Sequence, residues 1–154
     1  MGRECLHFAL RRAARAITRR YDDALAEVGV SANQLTVLAI LQAMGTLTVG
    51  ELAEQAGVDV TTMTRTLQPL RRERLVSARP GKDRRTRRIS LTAEGRSRLN
   101  RAHEVWQGLQ VEVSAAMPPT LVRSLRRLEK ALGGRRDQPS EGKSATLSAA
   151  RTIS

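Results

Sequence analysis

The stretch that decides the fold runs from Leu47 to Arg72 and reads LTVGELAEQAGVDVTTMTRTLQPLRR. Thr48 is followed three residues later by Glu51, which is the spacing of a capping box at the start of a helix. After Gly57, the side chain of Asp59 can cap a second helix by accepting a hydrogen bond from a backbone N–H group of its first turn. Two helices joined by about three residues that include glycine are typical of a helix-turn-helix.

Apolar residues recur in both helices at helical spacing, and we expect them to face the core. In the first helix they are Leu52, Ala53 and Ala56, and in the second they are Val60, Met63, Leu67 and Leu70. Pro69 lies inside the second helix, where it removes the hydrogen bond to the Arg65 carbonyl. We therefore expect this helix to be bent or loosened near its end.

Downstream of this stretch, two short runs at residues 75–79 and 87–91 flank a Pro-Gly loop, which predicts a β-hairpin. Thr92 then caps a long helix of about residues 93–116. Its apolar stripe is Leu99, Ala102, Trp106, Leu109 and Val113. After two prolines, leucines at positions 121, 125, 128 and 132 predict a final helix.

Upstream, apolar residues at spacings of three and four predict a helix over residues 6–28, which Gly29 ends. Ser31 and Gln34 form a further capping box, and the helix it opens runs to about Ala43. This helix is apolar nearly all round and is expected to be buried. The sequence therefore predicts a mainly α fold with a small β-hairpin.

Positive charge is concentrated around the helix-turn-helix and the hairpin. The chain has 27 Lys and Arg against 15 Asp and Glu, a net charge of +12. Residues 60–92 hold ten basic and two acidic side chains, which is two-thirds of that net charge. A protein this basic usually binds a polyanion. The other interpretation of an arginine run is a solvated surface, but here the run coincides with a structural motif.

The composition argues against several classes of protein. Three aromatic residues give almost no surface for stacking single-stranded bases. One cysteine excludes an intrachain disulfide and a cysteine-based zinc site, and no cofactor or metal is expected. No apolar run approaches the ~18 residues that span a bilayer, so a cytoplasmic protein without membrane contact is expected. No glycine-rich phosphate loop, nucleophile elbow or paired-histidine motif points to an enzyme.

The order of these elements resembles the MarR family of bacterial transcription regulators. The resemblance rests on Leu47–Gly57, on Asp83-Arg-Arg85 and on the helix start Leu91-Thr-Ala-Glu-Gly95, and it covers about residues 6–132. It implies a winged helix-turn-helix with N- and C-terminal dimerisation helices. It also implies a homodimer that binds double-stranded DNA at a pseudo-palindromic operator. Members usually repress genes and leave DNA on binding a small, often phenolic, molecule or on oxidation.

The predicted organisation is one MarR-like domain over residues 1–132, followed by a flexible tail, 133–154, rich in Gly, Ser and charge. The DNA-binding lobe is about residues 47–92, and the dimerisation helices are about 6–28 and 93–132.

At Arg74 the family often has a glycine with positive φ, a conformation that costs an arginine roughly 1 kcal/mol.

The predicted DNA contacts lie on the second helix of the motif and on the hairpin wing. On the helix they are Thr61, Thr62, Thr64, Arg65 and Gln68, since Arg suits guanine, Gln suits adenine and the Thr methyl suits thymine. Thr61 and Thr62 have the alternative role of capping the helix or binding phosphate. On the wing, Arg84, Arg87 and Arg88 are expected at phosphates. By resemblance, Arg85 enters the minor groove and Asp83 orients a neighbouring arginine.

The sequence says less about what controls the protein. By resemblance, an effector pocket between the two lobes would be lined by Arg15, Tyr21, Met44 and Trp106, although Tyr21 and Trp106 also fit ordinary core packing. Cys5 allows a redox-responsive regulator as an alternative, but the cysteine position of MarR-type hydroperoxide sensors falls on His7 here. Arg11 stands where their partner tyrosine is expected. A further alternative is a less specific architectural DNA-binding protein, which the net charge favours.

Overall fold

The computed structural model describes residues 5–81 and 86–133 and is mainly helical. The predicted helices and the hairpin are confirmed, with ends that agree within a few residues. In chain order the elements are α1 Leu6–Leu25 with a 3₁₀ extension Ala26–Val28, α2 Ala32–Met44, β1 Leu47–Thr48, α3 Val49–Ala56, α4 Val60–Arg72, β2 Val76–Pro80, β3 Arg87–Leu91, α5 Ala93–Ala115 and α6 Leu121–Gly133. Despite Pro69, α4 continues to Arg72, so the proline does not end the helix.

The sheet has three antiparallel strands in the order β1-β3-β2. The hairpin was predicted from the sequence, whereas β1 was not, because two residues are too short to show an alternating pattern. Leu47 and Ala78 are the partners of Ile89 on its two sides, and Ile89 is buried. The strand β1 leads directly into α3, so the sheet fixes where the helix-turn-helix begins.

The core is formed around α2, as its all-round apolar pattern predicted. Five of its side chains are buried: Leu35, Val37, Leu38, Ile40 and Leu41. They pack with buried residues of the neighbouring elements, among them Leu25, Leu52, Met63, Leu67, Leu70, Leu75, Ile89, Leu99 and Ala102. One predicted core residue is wrong, because Val60 is 54% exposed.

Both predicted capping boxes are formed. The Ser31 hydroxyl accepts from the Gln34 N–H group, and the Gln34 side chain accepts from the Ser31 N–H group. Thr48 and Glu51 exchange the same pair of bonds at the start of α3. These bonds satisfy N–H groups that the first turn of a helix leaves without partners.

The end of α4 is joined to the start of α5 through Thr92. Its hydroxyl lies 2.8 Å from the Arg74 carbonyl and 3.0 Å from the Leu75 carbonyl, and it accepts from the Gly95 N–H group. Arg74 has φ 57°, the left-handed conformation expected at this position. At Gly95 the helix approaches the chain so closely that a Cβ would lie 2.0 Å from the Leu75 carbonyl oxygen. This approach explains the Leu-Thr-x-x-Gly pattern.

The chain has two compact units, Met1–Val111 and Glu112–Ser154. The predicted single domain over 1–132 stays a prediction, and residues 134–154 of the predicted tail lie outside the described residues.

Within the described ranges, no single helix has both the length and the apolar character to cross a membrane. The pair 6–28 and 32–44, bent by 74°, meets those criteria only when both helices are taken together.

Gly95→Ala should destabilise the fold by about 1–3 kcal/mol, because the new methyl group must push the Leu75 backbone away. Gly50→Ala is the matched control, since a Cβ there meets nothing within 4 Å. It should stabilise α3 by up to ~1 kcal/mol through helix propensity. Urea unfolding of both variants measures the difference, and equal stabilities would contradict the close approach.

Candidate nucleic-acid interface

Asp59 fixes the start of α4. Its carboxylate accepts hydrogen bonds from the Thr62 hydroxyl at 2.6 Å and from the Thr62 N–H group at 2.8 Å. These bonds hold the pKa of Asp59 below its usual value. A negative charge at a helix N-terminus is also favoured by the helix dipole. The cap predicted at Asp59 is therefore confirmed.

The inner face of α4 decides which side chains point to solvent. Met63, Leu67 and Leu70 are buried, and together they fasten the helix to the core. The predicted DNA contacts lie on the opposite side, and all are exposed: Thr61, Thr62, Thr64, Arg65 and Gln68. The structure therefore brings the five side chains onto one solvent-facing surface, which we call the recognition face.

Two of the threonines use their hydroxyl hydrogens within the protein. The Thr62 hydroxyl donates to Asp59, and the Thr64 hydroxyl donates to the Val60 carbonyl at 2.8 Å. Asp59 is the residue that caps the helix, and the Thr62 hydroxyl supports that cap by its bond to the carboxylate. Their methyl groups and the acceptor lone pairs of their hydroxyl oxygens remain for contact with a base, whereas Arg65 and Gln68 offer side-chain N–H groups.

Sequence reasoning missed the apolar residues beside the recognition face. Val58 in the turn is 39% exposed, and Val60 in the first turn of α4 is 54% exposed. The spacing of Val60 from Met63 matches the inner stripe, so periodicity could not reveal that the helix begins beyond the edge of the core. An exposed valine in this place can contact a thymine methyl group.

A basic pair follows at the other end of α4. Arg71 and Arg72 are exposed and line a surface groove together with Gln68. The signal in the sequence was two adjacent arginines in the last turn. Cations there also interact favourably with the helix dipole, so their position fits helix stability as well as phosphate binding.

The wing is the second part of the candidate interface, and residues 82–85 between its strands lie outside the described residues. Arg87 and Arg88 are exposed on β3, and Arg79 is the cross-strand partner of Arg88. Arg88 donates to the Thr46 carbonyl at 2.8 Å, so part of its role is to hold the strand in place. Three predicted contacts, Asp83, Arg84 and Arg85, lie outside the described residues.

Glu51 at the start of α3 connects this arginine to the helix-turn-helix. Its pKa is lowered first by the hydrogen bond from the Thr48 N–H group, then by the Thr48 hydroxyl, with a smaller contribution from the charge of Arg88. The charge of Arg88 on the wing strand therefore adds only a small effect to the cap of α3.

Of the four residues predicted for an effector pocket, two pack against the core and two are exposed. The Tyr21 hydroxyl donates to Gln110 at 2.7 Å and thereby links α1 to α5, and burial raises its pKa. Trp106 stacks on His103 with ring centroids 5.4 Å apart. Both pack against the core, as the alternative interpretation expected. Arg15 and Met44 are exposed. Among the described residues, no cluster of three or more His, Cys, Asp or Glu could hold a metal ion.

A helix-turn-helix with an exposed, basic second helix and a basic β-hairpin beside it defines the winged helix-turn-helix class of DNA-binding proteins. A family model described as MarR family matches residues 28–86. YwoH of Bacillus subtilis, an uncharacterized HTH-type transcriptional regulator, is 30% identical over 94 residues, which are 61% of this chain and 68% of that protein.

Solved structures agree with this match. The M. tuberculosis transcriptional regulator MosR, crystallised in complex with DNA, is 39% identical with a TM-score of 0.79. The alignment covers 86% of this chain and 99% of MosR. A mutant MarR of E. coli complexed with operator DNA is 24% identical with a TM-score of 0.71, over 82% of this chain and 92% of that one, and it shares the fold. The chain belongs to the MarR family and is a DNA-binding winged-helix transcription regulator.

Arg65→Ala and Gln68→Ala should each relax base preference at one position of each half-site, at a cost of roughly 1–3 kcal/mol. Thr66→Val is the matched control, because Thr66 is not among the predicted contacts and the hydroxyl that a methyl group replaces there is already bonded to the Thr62 carbonyl. Binding to a panel of single-base operator variants measures these preferences. Unchanged preferences in both alanine variants would show that this face does not contact bases.

Proposed function

We propose that the protein is a homodimeric repressor that binds a pseudo-palindromic operator and is released from it by a small-molecule effector. The observation that carries the DNA-binding part is the recognition face, on which Arg65 and Gln68 project from a helix fastened by its opposite side. The likeness to DNA-bound MosR supports the same interpretation. A regulator of this kind acts on the chromosome, so we place it in the cytoplasm, as a binding protein and not an enzyme.

Binding-site selection from random duplexes, followed by footprinting, tests this proposal. We expect one short palindrome with half-sites about one helical turn apart, bound at least ~10³-fold more tightly than unrelated DNA. An architectural DNA-binding protein would instead give a continuous footprint and similar affinities for all duplexes. That outcome would replace the proposal.

Exposed apolar side chains support the homodimer. In the first unit, Leu6 and Phe8 on α1 are 60% and 50% exposed, and Val111 on α5 is 73% exposed. In the second unit, α6 exposes Val122, Leu125 and Leu132. Water contact with so many large apolar groups is unfavourable, and a twofold partner would cover them.

Leu125→Glu should weaken the dimer, because it places a charge among the exposed apolar residues of α6. Ser124→Glu adds the same charge at the neighbouring, polar position and should leave association unchanged. Sedimentation velocity across a concentration series measures the difference. If Leu125→Glu associates as the parent does, α6 is not part of the interface.

For the effector, we propose a site lined by Arg15, Tyr21, Met44 and Trp106. The hydrogen bond between Tyr21 and Gln110 supports this choice, since a ligand that competes for it would change how α1 and α5 are joined. A redox response through Cys5 is the second candidate, and its supporting observation is that the thiol is exposed immediately before α1. Two measurements distinguish these candidates. An effector site predicts that small aromatic acids release the selected duplex from the parent protein. A redox response predicts that peroxide releases it from the parent but not from Cys5→Ser.

Arg85→Ala should weaken binding most on operators with A·T-rich flanks, because the narrow minor groove of such DNA has the strongest negative potential. Arg85→Lys should restore binding only in part, since lysine loses its hydration less readily than arginine. Two operators that differ only in their flanks provide the measurement. Equal losses on both would mean that Arg85 contacts phosphate and does not read the groove.

A further inference from the structure

Arg98 on α5 connects three parts of the first unit. Its Nη1 donates to the Val28 carbonyl at 3.1 Å, at the end of the 3₁₀ extension of α1. The same nitrogen lies 3.5 Å from the Glu73 carboxylate, in the residue that follows α4. Its Nη2 lies 3.6 Å from the Glu94 carboxylate, one turn earlier on α5. One guanidinium group thus joins the end of α1, the end of α4 and the start of α5.

The local backbone is shaped to admit this side chain. Val28 ends a helix, and the terminal carbonyl groups of a helix lack partners within it. Gly29 follows with φ 75°, and a Cβ on it would lie 2.9 Å from Nη1 of Arg98. A larger residue would displace the guanidinium from the Val28 carbonyl. Gly29 therefore ends the helix and also leaves room for the arginine.

Arg98 is held more firmly than a surface arginine. Its side chain is only 19% exposed, whereas those of Glu73 and Glu94 are 45% and 56% exposed. Its Nε is buried without a hydrogen-bond partner among the described residues, which is unfavourable by itself. Burying an arginine at this cost is better explained by the geometry it fixes than by its ion pairs, since such exposed pairs contribute little to stability.

We propose that Arg98 is a positioning residue for α4, the helix that carries the recognition face. Thr92 already ties the end of α4 to α5, and Arg98 adds the end of α1 to the same junction. The orientation of α4 is thereby fixed relative to α1, the helix that contributes both to the proposed dimer and to the proposed effector site. This inference rests on the proposed function, because orientation matters only if α4 reads bases.

The test uses four variants of the full chain. Arg98→Met keeps an unbranched side chain but removes every N–H group of the guanidinium. Glu73→Gln weakens the link to α4, Arg98→Lys retains the charge without the planar fork, and Glu94→Gln is the control, because its contact stays within α5. The two duplexes are the site selected by the parent protein and a scrambled duplex of equal length and composition.

Arg98→Met and Glu73→Gln should each lower the ratio of selected to scrambled affinity about three- to tenfold. The two variants change the net charge in opposite directions, so a purely electrostatic role would weaken DNA binding in Arg98→Met and strengthen it in Glu73→Gln on both duplexes, leaving the ratio unchanged. The double variant should be no worse than Arg98→Met, because the two residues act through one contact. Glu94→Gln should match the parent, and Arg98→Lys should lie between parent and Arg98→Met.

Backbone hydrogen exchange without DNA provides a second, independent measurement. Arg98→Met should speed exchange around residues 73–75 and 28–30, whereas Glu94→Gln should not. Unchanged exchange there, or an unchanged affinity ratio in both Arg98→Met and Glu73→Gln, would overturn the proposal. If Arg98→Met does not fold, Glu73→Gln and Arg98→Lys decide it. If the parent itself prefers no sequence, the proposed function fails, while the exchange result still reports whether Arg98 joins the helices.

Discussion

The contact between Gly95 and the Leu75 carbonyl is the constraint on which the DNA-binding unit depends. It brings the start of α5 against the chain that leaves α4, at a distance that no Cβ would allow. The Thr92 hydroxyl can then reach the carbonyl groups of Arg74 and Leu75. The hairpin lies between these two points in the chain, so its base is fixed by the same contact. The helix α4 and the base of the wing are therefore held in one arrangement by a few backbone groups.

The recognition face follows from what the opposite side of α4 buries. Met63, Leu67 and Leu70 hold that side in the core, and the polar residues between them must face solvent. Internal hydrogen bonds distinguish the side chains of this face, because Thr62 and Thr64 donate their hydroxyl hydrogens to Asp59 and to the Val60 carbonyl. Arg65 and Gln68 keep long, exposed side chains with several donors each. Because α4 is held by its buried side, the exposed Arg65 and Gln68 side chains can adjust to base edges while the helix keeps its place.

The arginines of the basic segment have different roles despite their common charge. Arg88 is bonded to the Thr46 carbonyl and supports the strand, whereas Arg71 and Arg72 line an exposed groove. Arg98 lies outside the basic segment 60–92 and joins the ends of α1 and α4 to the start of α5. Charge density along the sequence could indicate a polyanion partner, but it could not separate these roles. Each depends on which carbonyl or carboxylate the fold brings within reach of a guanidinium.

Local chemistry made much of the fold predictable: the capping boxes, the glycine after α1 and the Pro80-Gly81 pair at the end of β2 each act within a few residues. The helix-turn-helix, the hairpin and the polar side of α4 were therefore accessible from sequence alone. The strand β1, the exposure of Val60 and the contacts of Arg88 and Arg98 were not. The packed chain decided these features, because each depends on residues far apart in sequence: β1 on its pairing with β3, Val60 on where the core ends, and both arginines on distant carbonyl groups.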